Sequence, residues 1–391
     1  MSDSSPPRDP VLDALVDICG PDYARSARSV DAVAGRRVRY VAVPATTHAV
    51  ADTLRLAADR GLVALPRGSG SKIDWGPPAP GVDVLIDTAR LGGLWHYDEA
   101  AGVAEVGTGT PVSALQAALA LRGRRLAADP PSRTATVGGM LAVNESGPLR
   151  LRFGTPAESV ERVAYVDAAG RPAESDGEDG RPGLAEIAGV ITTATVRLAP
   201  LPESRRWVGV AVATPPQVLS LVEEALARRL DLSAVEVDLP RPDSEWSSAR
   251  PPGTLAALFE GDEATVAASS ARLAAAWGAG AVTTPIAPPW WGRYPFGRSD
   301  VALRLSVAVA DLPAVAYALR DAAGGPVPIR GSAGLGSVWA VLPGTSAPEQ
   351  VQRVLESVRH VLMARHGRAL VVAAPPDLAD HLDIAARHEL F

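Results

Sequence analysis

The chain has 391 residues, 47% hydrophobic and 21% charged, so it is long enough for two or three domains and apolar enough to fold. Its net charge of -6 excludes the basic face that a nucleic-acid-binding protein needs. The single cysteine, Cys19, excludes a disulfide framework, a cysteine-rich zinc site and an iron–sulfur cluster held by this chain alone.

The sequence shows no clear targeting segment, charge patch or metal motif. Residues 1–10 are polar and proline-rich, and no apolar run reaches about 18 residues, so we expect a cytoplasmic protein without a transmembrane segment. Lys72 is the only lysine, which we interpret as coding bias because no arginine cluster stands out as a patch. His381 and His388 are seven residues apart without an acidic partner at metal spacing, so no metal site is expected.

Strand-like and helix-like segments alternate in the first 200 residues. Strands are predicted over residues 39–43, 62–65, 82–87, 103–106, 160–166 and 190–198. Helices are predicted to begin at the capping residues Thr46 or Thr47 and at Thr110, which precedes a proline. The polar and acidic stretch 174–183 indicates a solvated loop.

A boundary is predicted near residues 199–202, and the order of elements changes after it. Strands are predicted over residues 207–213, 234–237, 254–259, 301–307, 327–329, 338–342 and 369–372. Helices are predicted over residues 216–228, 263–277, 312–322 and 349–365. This order is close to β-α-β-β-α-β twice, the ferredoxin-like unit.

Three loops carry possible chemistry. In residues 66–71 (PRGSGS), consecutive backbone amides without bulky side chains can bind phosphate oxygens, but taken alone the segment favours the alternative, a plain glycine turn. Residues 129–148 are rich in small side chains that admit a flat or extended ligand, and the alternative is a structural loop. The aromatic loop 288–297 is interpreted as a lid or subunit contact, or as an aromatic core plug.

Six segments in order carry a resemblance to a known family. They are residues 66–71 (PRGSGS), 107–110 (GTGT), 129–130 (DP), 135–139 (ATVGG), 144–147 (NESG) and 189–192 (GVIT). Together they resemble the FAD-binding domain of the vanillyl-alcohol oxidase / p-cresol methylhydroxylase superfamily. Residues 71–76 (SKIDWG) look most like the FAD-binding subunit of glycolate oxidase.

The resemblance implies a set of cofactor-binding residues. The residues expected to bind FAD are Arg67, Gly68, Ser69, Gly70, Ser71, Pro131, Thr136, Gly138, Gly139, Asn144, Ser146, Gly147, Val190 and Ile191. Binding is expected to be non-covalent, because some relatives attach the flavin through a histidine where this chain has Ser71. The residues expected on a lid or substrate side are Trp290, Trp291, Arg293 and Tyr294.

The expected fold is α+β, with a two-subdomain FAD-binding domain followed by a ferredoxin-like cap domain. The expected parts are an amino-terminal segment (1–37), the FAD-binding domain (38–200), the cap or substrate domain (201–375) and a tail (376–391). The resemblance implies an FAD-dependent oxidoreductase subunit that oxidises a 2-hydroxy acid. Electrons would pass to partners, a second flavoprotein subunit and an iron–sulfur subunit.

Two alternatives to this function remain open. Region 174–189 is shorter than in the family, and the family's closing motif is missing, which favours a non-catalytic structural subunit that no longer binds FAD tightly. An independent oxidase that uses oxygen directly is the other alternative. The sequence offers no arginine or histidine constellation for a carboxylate, so no catalytic residue is assigned.

Overall fold

The structure is a computed structural model that describes residues 9–77, 81–176, 183–240 and 253–386. Three main β-sheets, each covered by helices, follow one another along the chain. The fold is α+β, as predicted from the sequence.

The first sheet is small and mostly parallel. Its elements are α1 (Pro10–Cys19), β1 (Ala24–Ser26), β2 (Tyr40–Ala42), α2 (Thr47–Asp59), β3 (Ala64–Arg67) and β4 (Val84–Asp87). The strand order is β1-β2-β4-β3, in which β2, β4 and β3 are parallel and β1 is antiparallel to β2. Glycine loop 66–71 therefore begins at the carboxyl end of a parallel strand, where ligands commonly bind in α/β sheets.

The second sheet is antiparallel. The elements of this part are β5 (Gly92–Asp98), β6 (Val103–Thr108), α3 (Val112–Ala120), β7 (Arg124–Arg125), α4 (Val137–Ala142), α5 (Arg150–Phe153), β8 (Val160–Asp167), β9 (Pro172–Ser175), β10 (Gly189–Arg197) and β11 (Ala199–Pro200). The strand order is β5-β6-β10-β8-β9, and β7 pairs separately with β11. Helix α4 packs on β6 and β10, which places the second glycine-rich turn beside the sheet.

The third sheet has eight antiparallel strands. The elements of this part are β12 (Ser204–Val212), α6 (Pro215–Ala227), β13 (Leu232–Leu239), β14 (Gly253–Gly261), α7 (Glu263–Trp277), β15 (Val282–Thr284), β16 (Asp300–Ser306), α8 (Leu312–Ala323), β17 (Ile329–Ser332), β18 (Ser337–Pro343), α9 (Pro348–Met363), β19 (Arg368–Ala373) and α10 (Pro376–Ala379). The strand order is β15-β12-β14-β13-β17-β18-β16-β19. Two βαββαβ units thus join through β13 and β17 into one sheet.

The structure differs from the sequence-based prediction at several elements. Thr110 does not cap α3: its Oγ1 donates to the Gly107 carbonyl at 2.6 Å, and Pro111 occupies the N-cap position. Strand β15 was not predicted, because it is short and its Val282 is exposed. Strand β1 extends the first sheet and helix α1 packs against it, although both elements lie before residue 38, where the FAD-binding domain was expected to begin.

The predicted solvated loop 174–183 is only partly observed. Glu174 and Ser175 belong to β9, where they pair with Ala164 and Val163. Residues 177–182 lie outside the described residues.

Buried ion pairs and aromatic rings connect the third sheet to the preceding part of the chain. Arg125 of β7 donates two hydrogen bonds to the Glu260 carboxylate of β14, at 2.7 and 3.0 Å. Trp75, just after the glycine loop, packs against Trp339 of β18 with ring centroids 5.8 Å apart. These contacts fix the surfaces between which the candidate site lies.

Candidate functional site

The glycine loop presents unpaired backbone donors. Among the described residues, no acceptor is found for the amides of Ser69, Gly70 and Ser71. Gly70 has φ +74°, a left-handed conformation that glycine adopts without strain. Three consecutive free N–H groups in such a turn form a concave site for an anion, which supports phosphate binding over a plain glycine turn.

The two glycine-rich turns lie side by side. A Cβ on Gly68 would stand 2.1 Å from Thr136 Oγ1, and a Cβ on Gly138 would stand 2.8 Å from Thr108 Cβ. Thr136 caps α4 by accepting from the Gly139 amide at 3.2 Å. Only glycine therefore permits this approach of the two turns.

Two adjoining cavities open between these turns. The first, the loop cavity, has a volume of about 130 Å³ and is lined by residues 66–73 together with Thr136 and Gly139. The second, the strand cavity, has about 300 Å³ and is lined by Gly138, Val190 and Ile191. Gly68 and Gly139 line both cavities, so the cleft is shared.

Arg67 does not offer its charge to this cleft. Its guanidinium donates to Asp31 at 3.1 Å and to Asp87 at 2.8 Å. The guanidinium groups of Arg25 and Arg67 hold the pKa of the Asp31 carboxyl well below its usual range. The anion-binding character of the loop therefore comes from its backbone, and Arg67 anchors the strand that carries it.

The remaining residues that are expected to bind the cofactor lie in different places. Asn144 lines none of the cavities described here: at φ +51° it turns its Oδ1 to accept from the Ala157 amide at 2.9 Å. Its role in this structure is to hold the turn, since asparagine tolerates a left-handed conformation. Pro131, Ser146 and Gly147 line a third cavity, described below.

Lys72 lies in a buried polar cluster at the end of the glycine loop. Its ammonium group forms an ion pair with Glu145 and donates to Ser132 Oγ at 2.5 Å. It also stands 5.0 Å above the Trp75 ring. Burial lowers the pKa of Lys72, and the Glu145 charge opposes that shift. The only lysine of the chain thus has a specific structural environment, which coding bias does not explain.

The aromatic loop reaches this cluster through Tyr294. The Tyr294 hydroxyl donates to Glu145 Oε1 at 2.7 Å, and its ring packs between Trp75 and Trp339 with centroid distances of 5.2 and 5.3 Å. Burial and the Glu145 charge raise the pKa of Tyr294 well above its usual value. Trp291 instead packs against Trp207. At Tyr294 and Trp291, the aromatic loop therefore packs against other aromatic rings of the core, as an aromatic core plug would.

A third cavity, the arginine cavity, lies beyond Tyr294. Its volume is about 40 Å³, room for on the order of three water molecules. The charged and polar residues that line it are Ser146, Arg150, Glu236, Arg293, Tyr294, Arg304, Arg330, Ser332 and Ser337. Trp290 and Trp339 add aromatic walls. Trp290, Arg293 and Tyr294 line this cavity and Trp291 does not, and a lid or substrate-side role for the four residues stays a prediction.

Two arginines give this cavity its charge. Arg304 is 6% exposed, and its pKa is lowered to about 10 by burial and by the nearby positive charge of Arg150. Within the described part of the chain, the Arg150 side chain donates no hydrogen bond, and burial lowers its pKa. Arg330 is already paired, since its Nε donates to Asp238 at 2.8 Å. Arg150 and Arg304 together favour an anion between them.

Acidic groups lie close to these cations. Glu236 of β13 is 6% exposed and lines the arginine cavity. Burial and the charge of Asp129 raise the pKa of Glu236 to about 8. Burial likewise raises the pKa of Asp129 to about 8. Both carboxyl groups are therefore mostly protonated at neutral pH.

The sequence offers no clear arginine constellation for a carboxylate, but the fold brings four arginines, Arg150, Arg293, Arg304 and Arg330, to one cavity. Arg150 follows a glycine-rich turn, Arg304 lies in a strand of the third sheet, and Glu236 lies in another. These residues are 68 or more positions apart in sequence, and no local motif joins them. A single arginine or glutamate in an otherwise apolar strand is the one signal that could have marked Arg304 and Glu236.

A fourth cavity, the middle cavity, shares lining residues with two of the others. It has a volume of about 470 Å³ and is lined by Ser71, Trp75, Ser132 and Tyr294 among other residues. Ser71 also lines the loop cavity, and Tyr294 also lines the arginine cavity. The loop, middle and arginine cavities are therefore neighbours, and the side chains of Ser71 and Tyr294 lie between them.

The described residues contain neither a cluster suited to a metal ion nor a helix suited to cross a membrane. Within residues 9–77, 81–176, 183–240 and 253–386, no three histidine, cysteine, aspartate or glutamate side chains are grouped to hold a metal ion. The same part of the chain contains no helix that combines the length and the apolar character needed to cross a bilayer.

Comparison with known proteins matches the first part of the chain to a family model described as "FAD binding domain", over residues 38–175. A D-lactate dehydrogenase from Archaeoglobus fulgidus is 27% identical over 263 residues, 62% of this chain and 59% of that protein. Glycolate oxidase subunit GlcE from Escherichia coli is 32% identical over 114 residues, 29% of this chain and 32% of that protein. The matches thus span between a third and three fifths of these relatives.

Solved structures resemble almost the whole chain. An alkyldihydroxyacetonephosphate synthase covers 93% of this chain and 82% of its own, with a TM-score of 0.73 and 17% identity. A substrate-bound p-cresol methylhydroxylase covers 90% of this chain and 86% of its own, with a TM-score of 0.68 and 12% identity. Residues 38–175 therefore match an FAD-binding domain, and the chain as a whole shares the fold of these two solved structures.

Proposed function

We propose that this protein is a flavin-dependent oxidoreductase subunit that oxidises a small 2-hydroxy acid and passes electrons to a partner protein. The observation that carries the proposal is a series of neighbouring cavities, related by shared lining residues, between the glycine loop and the arginine cavity. The D-lactate dehydrogenase and glycolate oxidase relatives support an oxidoreductase that acts on such acids.

The residues present fit FAD. The three unpaired amides of Ser69, Gly70 and Ser71 suit the diphosphate, and the Gly68–Thr136 approach leaves no space for another side chain in the cradle. In the proposal, Gly138, Val190 and Ile191 border the adenosine end of the strand cavity. Ser71 stands in the loop without a histidine, which supports non-covalent binding.

In the proposal, the flavin side of the cofactor lies toward the residues between the loop cavity and the arginine cavity. Pro131, Ser146 and Gly147 are the expected cofactor residues that border the latter. Bound FAD supplies the two-electron oxidation, while the chain supplies binding, orientation and charge.

The chain's own residues position the acid. Arg150 and Arg304 hold its carboxylate, because planar guanidinium groups match carboxylate geometry and the two charges repel when no anion is present. The small cavity and its Trp290 and Trp339 walls exclude larger acids. The expected preference is therefore for acids of two or three carbons.

Electron transfer to partners is part of the proposal. GlcE is named as a subunit, which supports a multi-subunit assembly. With one cysteine, this chain leaves any iron–sulfur cluster to another subunit.

The test is anaerobic mixing of the purified protein with glycolate or D-lactate while flavin absorbance is recorded. The proposal expects a yellow protein whose flavin band bleaches with these acids and not with 2-hydroxy acids that carry aromatic side chains. A colourless protein that FAD cannot reconstitute would contradict it and favour the structural subunit. Peroxide formation without a partner would instead identify an independent oxidase.

A further inference from the structure

The arginine cavity contains buried polar atoms without partners. Among the described residues, Glu236 Oε1 and Ser332 Oγ have no hydrogen-bond partner, although both atoms are buried. The two residues face each other across β13 and β17, as a register pair, and both line the cavity. The Ser332 hydroxyl is near enough to lower the pKa of Glu236, and a ligand that pairs with either atom would complete their hydrogen bonding.

The chemistry of the walls defines that ligand. Arg150 and Arg304 bring positive charge from α5 and β16, and Trp290 and Trp339 bring apolar surface. The volume of about 40 Å³ admits a few heavy atoms. A small monocarboxylate fits these limits better than a phosphate, whose tetrahedral group is larger and carries more charge.

Glu236 complicates the binding of an anion. An ionised glutamate in the same cavity would repel a bound carboxylate, whereas a protonated one can donate a hydrogen bond to it. The cavity can therefore take an anion favourably only when Glu236 carries its proton.

We propose that the arginine cavity binds a small carboxylate anion together with a proton held on the Glu236 carboxyl group. This deepens the proposed function, because the anion is the carboxylate of the hydroxy acid. The binding step itself needs no flavin and no turnover. It links substrate affinity to pH through one residue of the third sheet.

The surroundings of Glu236 set the pH range. The titratable and charged groups that face Glu236 or the cavity from neighbouring elements are Asp129, Arg150, Arg293, Tyr294, Arg304 and Arg330. The pKa of Glu236 is already raised to about 8 without a ligand, and a bound anion raises it further by like-charge repulsion. Affinity is thus constant below pH 8 and falls by up to about tenfold per pH unit above it.

Acetate is the probe, since it has the carboxylate and cannot be oxidised as a hydroxy acid. Isothermal titration calorimetry of the purified protein between pH 6.5 and 9.5, in buffers with different ionisation heats, gives both Kd and protons taken up. The expected result is a constant Kd up to about pH 7.5, an increase of up to tenfold per unit above pH 8, and proton uptake in the same range.

Variants assign the effect to Glu236. Glu236→Gln should bind acetate with a Kd that does not change across this range, because the amide is neutral at every pH. Glu223→Gln, at an exposed helix position, is the matched control and should behave like the wild type. Should Glu236→Gln fail to fold, Asp129→Asn decides instead, because it removes the other carboxyl group whose pKa is raised to about 8 and should leave the pH dependence in place.

Several outcomes would overturn the proposal. They are no acetate binding, a pH-independent Kd in the wild type, pH dependence that persists in Glu236→Gln, or tighter binding of inorganic phosphate than of acetate at this cavity. Failure here differs from failure of the proposed function, because a yellow protein bleached by glycolate can still show no proton-linked acetate binding. A flavin-free protein can conversely show that linkage.

Discussion

The loop cavity and the arginine cavity both suit anions, but they use different parts of the chain. The loop cavity offers backbone amides of Ser69 to Ser71, and its nearest arginine, Arg67, is neutralised by Asp31 and Asp87. The arginine cavity offers the side-chain charges of Arg150 and Arg304. The first site tolerates few changes of backbone shape, whereas the second depends on individual charges.

Between the two sites, the Lys72–Glu145 pair provides the largest predicted effect. Lys72→Met leaves the fully buried Glu145 carboxylate without its cation, so we expect a loss of about 3–5 kcal/mol in the free energy of unfolding. Urea unfolding measures it. The double variant Lys72→Met/Glu145→Gln should recover much of that loss, and a double variant as unstable as the single one would refute the ion-pair explanation.

Arg150 tests the charge-based site. Arg150→Gln removes a charged donor from the arginine cavity, so the KM for glycolate and the Kd for acetate should rise about 10- to 100-fold. FAD content should not change, because the loop cavity does not use this residue. Arg272→Gln, at an exposed position of α7, is the control. Equal loss of FAD and of acetate binding would show that the two sites are not separate.

The buried acids predict how stability depends on pH. The pKa of Glu236 and that of Asp129 are raised to about 8 from ordinary values of 4.5 and 3.8, so the folded state holds protons that the unfolded state releases. Stability should therefore fall as pH rises from about 5 to 8, because over this range the unfolded state has released protons that the folded state still holds. Thermal unfolding at several pH values measures it. Glu236→Gln should make the profile less steep, because only Asp129 then still contributes, and a wild-type profile that rises over this range would contradict the assignment.

Tyr294 provides the smallest effect. Tyr294→Phe removes one hydrogen bond to Glu145 while keeping the ring between Trp75 and Trp339, so we expect a loss of about 1 kcal/mol. Tyr317→Phe is the control, since its hydroxyl donates no hydrogen bond within the described part of the chain. Denaturant midpoints compare the two variants. A loss above about 3 kcal/mol would mean that Tyr294 does more than close the cluster.

The same contrast explains what could be predicted from the sequence. The glycine loop is a continuous segment after a strand, so local pattern and family resemblance were enough to predict its place. Helices with a threonine or aspartate cap, such as those starting at Thr47 and Glu263, were also predicted to within one residue or so.

Other features depend on tertiary structure. Strand β13 is buried along all its length, so it lacks the alternation that marks a strand and was predicted only over residues 234–237. Arg150, Glu236 and Arg304 meet only because α5, β13 and β16 are brought together by the fold. Asn144 is expected to bind the cofactor from the family resemblance, which stays a prediction, and the fold brings its side chain to the Ala157 amide, from which it accepts a hydrogen bond.

The most direct test of the central claim is a titration of flavin-free protein with FAD, followed by flavin fluorescence. Gly68→Ala places a Cβ 2.1 Å from Thr136 Oγ1 and pushes the two turns apart, whereas Gly280→Ala adds a Cβ with no atom within 4 Å. We predict that the wild type and Gly280→Ala bind FAD equally and that Gly68→Ala binds at least about tenfold more weakly while it remains folded. Equal FAD affinity in all three proteins, or no binding by the wild type, would contradict the account.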